Sequence, residues 1–312
     1  MTATTSIPRR MAYLGAFSAL LLVLAGCTAS TTAEPSATPT ETATAEAEVE
    51  TAAELGNTTG DCEATAASFR EVTSANPDLA DPTLSATCVD DSIVVTSNSI
   101  PDYVYIATTP GSPNVIEQTY TLPATPTPAE DPSPDDVPRL GPIGVAVNGL
   151  PLYGPTEGTG GDVLSLQGAL SECGSHASQL AFHMHIFGSA EGVDCLYSAE
   201  EVASGDPVLV GWAADGYPIM SGLVCADGDC AEMTQLTSSW QLTDESLFAT
   251  DTWAAHSYVE GSGDLDECNG RVDADGQYRY YTTTTFPYFV GCFAGEVSDD
   301  ALPSLGGGGP GA

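Results

Sequence analysis

Short apolar runs, rather than long helical stripes, mark the chain from about residue 60 onward. Three of these runs are Ser92–Ser97, Tyr103–Thr108 and Val115–Leu122, and Pro, Gly, Asn and Asp separate them. Runs of this length between turn residues predict short β-strands. Helical signals are sparse, and residues 165–170 are the one candidate for a short helix. We therefore expect a mainly β fold.

A repeated pattern occurs twice in the second half of the chain. Residues 143–155, IGVAVNGLPLYGP, match residues 210–222, VGWAADGYPIMSG. Both copies contain a glycine, an apolar run, an Asn-Gly or Asp-Gly pair, and a proline two residues later. These pairs tolerate the positive φ angles of a tight primed turn. Each copy therefore predicts a β-hairpin or strand turn.

A second matched block follows each hairpin, and the two copies run in the same order. Duplication of a β unit with its own disulfide is the simplest explanation, and it predicts a disulfide-bonded, β-sandwich-like domain. The blocks are Ser171–His176, Phe182–His185 and the closing Cys195 in the first copy, and Asp266–Arg271, Tyr278–Tyr281 and Cys292 in the second.

The chain has nine cysteines, and setting Cys27 aside leaves an even number that can form disulfides outside the cytoplasm. No CxxC sequence occurs, so a thiolate metal site is not favoured. Joining cysteines that are consecutive in the sequence predicts four disulfides, none of which crosses another: Cys62–Cys88, Cys173–Cys195, Cys225–Cys230 and Cys268–Cys292.

The first residues resemble an export signal. Arg9 and Arg10 precede an apolar segment, Met11–Leu24, that is too short to span a membrane. The run Leu-Ala-Gly before Cys27 resembles the bacterial lipobox, which implies cleavage before that cysteine and lipid on its thiol. We expect an exported lipoprotein on the outer face of the cell membrane. An ordinary secretory signal with an incidental cysteine is the alternative, and the arginine pair leaves the twin-arginine route open.

Composition divides the rest of the chain. Residues 27–60 are rich in Thr, Ala, Glu and Pro and cannot form a core, so we expect a disordered tether. The predicted organisation is a signal peptide (1–26), this tether (27–60), an N-terminal β-strand segment (61–122), a Pro-rich connection (123–138), the domain with two repeats (139–297) and a flexible Gly-rich tail (298–312).

The charge balance excludes one class of partner. The chain has 43 acidic and six basic residues, all of the latter arginine, and two of those lie in the predicted signal peptide. The remaining four arginines give the mature side chains a formal charge of −39. Such a surface repels nucleic acid and anionic phosphate groups. The acidity otherwise indicates a solvated surface.

Three of the four histidines fall within ten residues: His176, His183 and His185. In a strand, residues i and i+2 share a face about 7 Å apart, so His183 and His185 can converge on one ion. Three neutral imidazoles suit Zn(II) or Cu(II). We then expect affinity to fall as the pH drops through about 6.5. The alternative is that these histidines line a half-buried strand and bond to its backbone.

The second copy carries Arg271 and Arg279 at the positions of His176 and His183. Guanidinium groups do not bind metals, so we expect a degenerate second site without an ion. Its arginines would donate to nearby carboxylates such as Asp266 or Glu267.

Eight segments of the chain carry motifs of a known family: Gly141–Gly149, Cys173–His176, Phe182–His185, Ala213–Ile219, Leu265–Gly270, Tyr278–Tyr281, Phe286–Tyr288 and Gly291–Phe293. They resemble the YHYH family, named for a Tyr-His-Tyr-His motif, from about Ser97 to Phe293. The resemblance implies the family's fold without a reaction. Phe182 and Met184 replace both tyrosines of the motif while its histidines remain, which fits a ligand role. Arg279 replaces the histidine of the second strand.

Familiar enzyme motifs are missing from the sequence, including the Gly-x-Ser-x-Gly elbow, the P-loop and HExxH. An EF-hand alignment of Asp273 and Asp275 places Arg271 at the first ligand position and fails. His256 is isolated. Two classes of function remain: an envelope lipoprotein that binds one Zn or Cu ion, with or without chemistry at an open coordination position, and a metal-free binding or adhesion module.

Overall fold

The computed structural model describes residues 60–108, 111–178, 181–226, 230 and 232–303. The predicted signal peptide, nearly all of the predicted tether and the end of the Gly-rich tail lie outside these residues. Among the described residues, none of the helices has the length and apolarity to cross a bilayer.

Short strands dominate the described residues, as the sequence predicts. Three short helices are present: α1 (Cys62–Ala67), α2 (Ala199–Val202) and α3 (Thr252–Ala255). The strands are β1 (Leu84–Val89), β2 (Ser92–Ser97), β3 (Gln118–Pro123), β4 (Pro142–Ala146), β5 (Pro151–Tyr153), β6 (Ser175–Ala177), β7 (Phe182–Met184), β8 (Leu209–Ala213), β9 (Pro218–Met220), β10 (Leu223–Cys225), β11 (Met233–Gln235), β12 (Trp240–Leu242), β13 (His256–Tyr258), β14 (Gly270–Val272) and β15 (Tyr278–Tyr281).

An eight-stranded sheet contains both repeats, in the order β14-β15-β9-β8-β4-β5-β7-β6. This order is symmetric, because β8, β9, β14 and β15 of the second repeat match β4, β5, β6 and β7 of the first. The hairpins β4–β5 and β8–β9 are antiparallel, whereas β5–β7 and β9–β15 pair in parallel. The two units meet at the antiparallel β4–β8 pair in the middle. The structure thus confirms the duplication.

A three-stranded antiparallel sheet, β1-β2-β3, packs against the middle of the large sheet. Its register pairs Val95 with Tyr120, so the apolar side chains of β2 and β3 share a face. They form one cluster with Val145 of β4 and Trp212 of β8. Ala146, the next residue of β4, belongs to the larger core cluster. The central strands are therefore buried on both faces, in the sandwich-like arrangement that the sequence predicts.

Four disulfides join the pairs predicted from local order, Cys62–Cys88, Cys173–Cys195, Cys225–Cys230 and Cys268–Cys292. The second and fourth close equivalent loops in the two repeats. Disulfides of this number are typical of proteins that fold outside the cytoplasm.

Two predicted elements are wrong. Tyr103–Thr108 is not a strand, because the Asn76 side chain takes its backbone partners: the amide donates to the Tyr103 carbonyl at 2.8 Å and accepts from the Tyr105 N–H at 2.8 Å. Residues 165–170 do not form a helix. A single 3-10 turn, Val163–Ser165, precedes them.

Each repeat contributes one glycine to the central β4–β8 pair. A Cβ on Gly144 would overlap the Trp212 carbonyl oxygen, and a Cβ on Gly211 would overlap the Val145 carbonyl oxygen. The obstacle is the backbone of the paired strand, which cannot yield without breaking the centre of the sheet. The duplication therefore requires glycine at both positions.

Gly144→Ala is expected to lower the free energy of unfolding by about 3 kcal/mol, as overpacked cores do. For a domain of this size the Tm falls by roughly 6–12 °C, which thermal denaturation measures directly. Gly158→Ala is the control, because a Cβ there meets no atom within 4 Å. Equal Tm values for the two variants would contradict the close approach.

Candidate metal centre

The β6–β7 hairpin brings all three predicted histidines together. Its antiparallel register places His176 directly opposite His183, and His185 follows β7 on the same face as His183. The Nε2 atoms of His176 and His183 lie 3.0 Å apart, and those of His183 and His185 lie 2.9 Å apart. All three side chains are buried, with exposed fractions between 2% and 5%. Among the described residues, this is the group of potential metal ligands that converges, with all three ligand atoms within 4.8 Å of one another.

The chain around the hairpin is held by local constraints. The Cys173–Cys195 disulfide ties the start of β6 to the loop after β7. Gly174 has a φ of +70°, and a Cβ there would overlap the Ile186 carbonyl oxygen, so the position requires glycine. The backbone N–H of His185 donates to the Gly174 carbonyl at 2.9 Å. The third ligand is thereby fixed beside the strand pair.

Backbone carbonyls determine which ring nitrogens face the centre. The Nδ1 of His183 lies 2.9 Å from the Ala181 carbonyl oxygen, and the Nδ1 of His185 lies 2.6 Å from the Gly154 carbonyl oxygen. A carbonyl only accepts, so we assign the proton of each neutral ring to Nδ1. Both Nε2 atoms then present lone pairs to each other at 2.9 Å. Two acceptors cannot form a hydrogen bond, and a positively charged group between them would satisfy both.

His176 has a different neighbour. Its Nδ1 lies 3.6 Å from Oε1 of Glu157, whose side chain is 15% exposed. Both atoms are buried, and neither has a hydrogen-bond partner among the described residues. The ring carbons of His183 are covered by Tyr153, whose ring stacks on the imidazole with centroids 3.9 Å apart.

Burial keeps the cluster neutral. It lowers the pKa of His183 well below the ordinary value and the pKa of His185 to about 3. Burial also lowers the pKa of His176, while the Glu157 charge and the Ala169 carbonyl partly oppose this shift. The neighbouring imidazoles lower these pKa values further, because two adjacent cations repel. The Nε2 lone pairs of His183 and His185 are therefore free well below the ordinary pKa of histidine.

The second repeat uses the same positions differently. Arg271 lies opposite Arg279, as His176 lies opposite His183, and the strand registers place Tyr281 at the position of His185. All three donate to one carboxylate, that of Asp273: Arg271 Nε at 2.9 Å, Arg279 Nη1 at 2.8 Å and the Tyr281 hydroxyl at 2.5 Å.

The carboxylates that pair with these arginines differ from those expected. Asp273 and Asp275 bind the guanidinium groups. Asp266 instead accepts from the Gly270 N–H within its own turn and from the Tyr278 hydroxyl of β15. Glu267 accepts from the Trp240 indole N–H through its backbone carbonyl. The prediction named acids close in sequence to Cys268, whereas the hairpin β14–β15 projects the arginines toward its own turn.

His256 lies apart from the cluster, as predicted. Its ring stacks on Phe286 with centroids 4.1 Å apart, and its Nδ1 lies 2.7 Å from the Thr252 carbonyl oxygen. Packing accounts for this histidine.

Sequence reasoning missed Glu157, Tyr153 and the Gly154 carbonyl. All three follow the Asn-Gly turn of the first hairpin, which was interpreted only as a structural element. The available signal was the run Tyr153-Gly154-Pro155. It ends β5 with an aromatic residue, and β5 lies next to β7, the strand that carries His183.

Comparison with known proteins identifies one match. A family model described as "YHYH protein" matches residues 119–295, more than half of the chain. No curated protein and no solved structure matches. The matched range contains β4 to β15, and therefore both repeats and all three clustered histidines.

Proposed function

The chain belongs to the YHYH protein family, and we propose that it binds one transition-metal ion, Zn or Cu, through His176, His183 and His185. The observation that carries this proposal is the convergence of the Nε2 atoms of three buried imidazoles, of which those of His183 and His185 present lone pairs to each other. Tetrahedral Zn–N bonds of about 2.0–2.1 Å separate neighbouring ligand atoms by about 3.3 Å. The separations of 2.9 and 3.0 Å are close to that value.

The second repeat supports a cation at this position. There, three donors converge on the Asp273 carboxylate, so the chain itself supplies the opposite charge. In the first repeat, the Nε2 acceptors of His183 and His185 converge with the Nε2 atom of His176. The four arginines of the described residues, Arg70, Arg139, Arg271 and Arg279, all pair with carboxylates outside this cluster. A bound metal ion supplies the positive charge that the acceptors require.

The residues of the site would hold the ion rigidly. The Ala181 and Gly154 carbonyls orient His183 and His185 through Nδ1, and Tyr153 fixes one ring by stacking. A metal at such a site can act as a Lewis acid or a redox centre if a coordination position is open. Burial of all three ligands favours retention of the ion.

Adhesion through the aromatic-rich strands is the alternative function. It has less support, because Tyr278, Tyr280 and Tyr281 of β15 are buried, with exposed fractions of 3% or less. These rings pack the core and do not form a binding surface.

We further propose that the protein is an exported lipoprotein, anchored to the outer face of the cell membrane by lipid on Cys27. The four disulfides support a location outside the cytoplasm. The lipobox lies outside the described residues.

The direct test is the metal content of the detergent-solubilised full chain after growth with Zn and Cu. We expect close to one equivalent per chain by elemental analysis, retained after dialysis. An absence of bound metal, together with no uptake of Zn(II) or Cu(II) in titration, would favour the structural interpretation of the histidines.

The pH dependence of binding should differ from that of ordinary histidine ligands. A proton competes with the ion only near or below the ligand's pKa, and burial lowers all three pKa values. Zn(II) affinity is therefore expected to change little between pH 8 and 6 and to fall only below that range, whereas histidines of ordinary pKa would give a fall through about pH 6.5. Competition with a chromophoric chelator at each pH measures this. A loss of about 1000-fold by pH 5.5, which three ligands of ordinary pKa predict, would contradict it.

A further inference from the structure

We infer that Glu157 is a positioning residue of the metal centre, and that its negative charge makes the centre selective for a divalent ion over Cu(I). This inference rests on the proposed metal-binding function. It concerns a carboxylate that sequence reasoning did not assign to the site.

Each ligand ring faces an acceptor through Nδ1. His183 and His185 face the Ala181 and Gly154 carbonyls. His176 faces Glu157 Oε1 at 3.6 Å, and in the described part of the chain neither of these two buried atoms has a hydrogen-bond partner. A small rotation of His176 toward the ion would bring its Nδ1–H within reach of the carboxylate. The three rings would then share one arrangement, with Nδ1–H on an acceptor and Nε2 on the metal.

The backbone around Glu157 holds the carboxylate in place. Its N–H donates to the Gly161 carbonyl at 2.8 Å, and its own carbonyl accepts from the Gly160 N–H at 2.8 Å. The other carboxylate oxygen, Oε2, accepts from the Gly158 N–H at 3.3 Å. This tight turn lies a few residues after β5 and restrains the side chain whose Oε1 faces His176.

Among the described residues, no arginine pairs with Glu157 to offset its burial. The four arginines of the described residues pair with Asp102, Asp135, Asp273 and Asp275. The basic side chain that faces Glu157 is His176, whose Nδ1 lies 3.6 Å from Oε1. A largely buried, unpaired carboxylate is costly, and a cation held by His176 would offset that cost.

The same charge explains selectivity. Zn(II) and Cu(I) both have a filled d shell and both bind imidazole, so their difference in charge dominates the comparison. Attraction to a nearby carboxylate doubles with the charge of the ion. Three neutral imidazoles next to one carboxylate therefore favour the divalent ion.

Glu157→Gln tests both parts in the solubilised full chain. Its Zn(II) affinity is expected to fall by about 10- to 100-fold with the stoichiometry kept at one, as for loss of other carboxylates behind a ligand histidine. Cu(I) affinity should fall less. Glu157→Asp, which keeps the charge, should lie between Glu157→Gln and the wild type. Glu191→Gln, an exposed acid of the same repeat, is the control and should change neither affinity.

Thermal unfolding separates positioning from a structural role. Metal-free Glu157→Gln should be at least as stable as the metal-free wild type, because a buried charge is removed, while the rise in Tm on adding Zn(II) should shrink. Unchanged Zn(II) affinity with a lowered metal-free Tm would overturn the inference in favour of a structural role. Equal losses for Zn(II) and Cu(I) would overturn the selectivity. A wild type that binds neither ion would instead overturn the proposed function.

Discussion

His183→Ala is expected to abolish metal binding, taking the chain from about one ion to none. His183 is the central ligand, because its Nε2 lies within 3.0 Å of His176 Nε2 and within 2.9 Å of His185 Nε2. Without it, the imidazoles of His176 and His185 lose the ligand that lies close to both of them. We expect affinity to drop by more than about 100-fold, beyond the effect of losing a group behind a ligand. Elemental analysis and Zn(II) titration measure the change.

Controls for this variant come from the second repeat and from the fourth histidine. Arg279→Ala alters the equivalent strand position, and His256→Ala removes an imidazole that packs on Phe286. Both should retain the ion. His183→Ala also removes the ring that stacks on Tyr153, so intact disulfides and a cooperative thermal transition must accompany the result. Equal metal content in the wild type and the His183→Ala/His185→Ala double variant would exclude the proposed ligands.

Cys27→Ser is expected to move the protein from the membrane fraction to the soluble fraction. The proposed anchor is a diacylglycerol on the thiol of Cys27, and a serine hydroxyl cannot carry the thioether. Each buried methylene of an acyl chain contributes about 0.8 kcal/mol, so two chains hold a protein firmly and their loss releases it. Cell fractionation with fatty-acid labelling measures both changes.

The matched control replaces two cysteines that form a disulfide by serine. Cys225→Ser/Cys230→Ser removes the disulfide with the shortest separation, five residues, and should leave labelling and fractionation unchanged. A Cys27→Ser protein that stays membrane-bound and lipid-labelled would show that the anchor is elsewhere.

The fold could largely be predicted because its signals are local and repeated. The matched segments 143–155 and 210–222 predicted two hairpins, and both occur at the centre of the sheet. The order of the cysteines predicted four disulfides, and all four are present. The strand predicted at Tyr103–Thr108 was wrong. The Asn76 side chain makes the backbone hydrogen bonds that a neighbouring strand would otherwise make, and an alternation of apolar residues does not reveal this.

The candidate site was predicted only in part. His183 and His185 share a face because strands have a period of two, and the nearby His176 could be added from spacing alone. The pairing of His176 with His183 depends on the register of β6 and β7. The acids that bind Arg271 and Arg279 were misidentified, because the turn after β14 places Asp273 between the two strands.

The amino-acid sequence by itself determined the duplication, the disulfide pairs and the three histidines, because each depends on residue type and short-range order. Only the tertiary structure decided what surrounds those histidines. The Gly154 carbonyl and Glu157 reach the site from the segment after β5, and the turn of the β14–β15 hairpin places Asp273 where its charge meets three donors. The contacts to His176 and His185 join segments that have no common period, because they depend on the pairing of β5 with β7, which exists only in the folded sheet. The contacts to Asp273 depend in the same way on the register of β14 with β15.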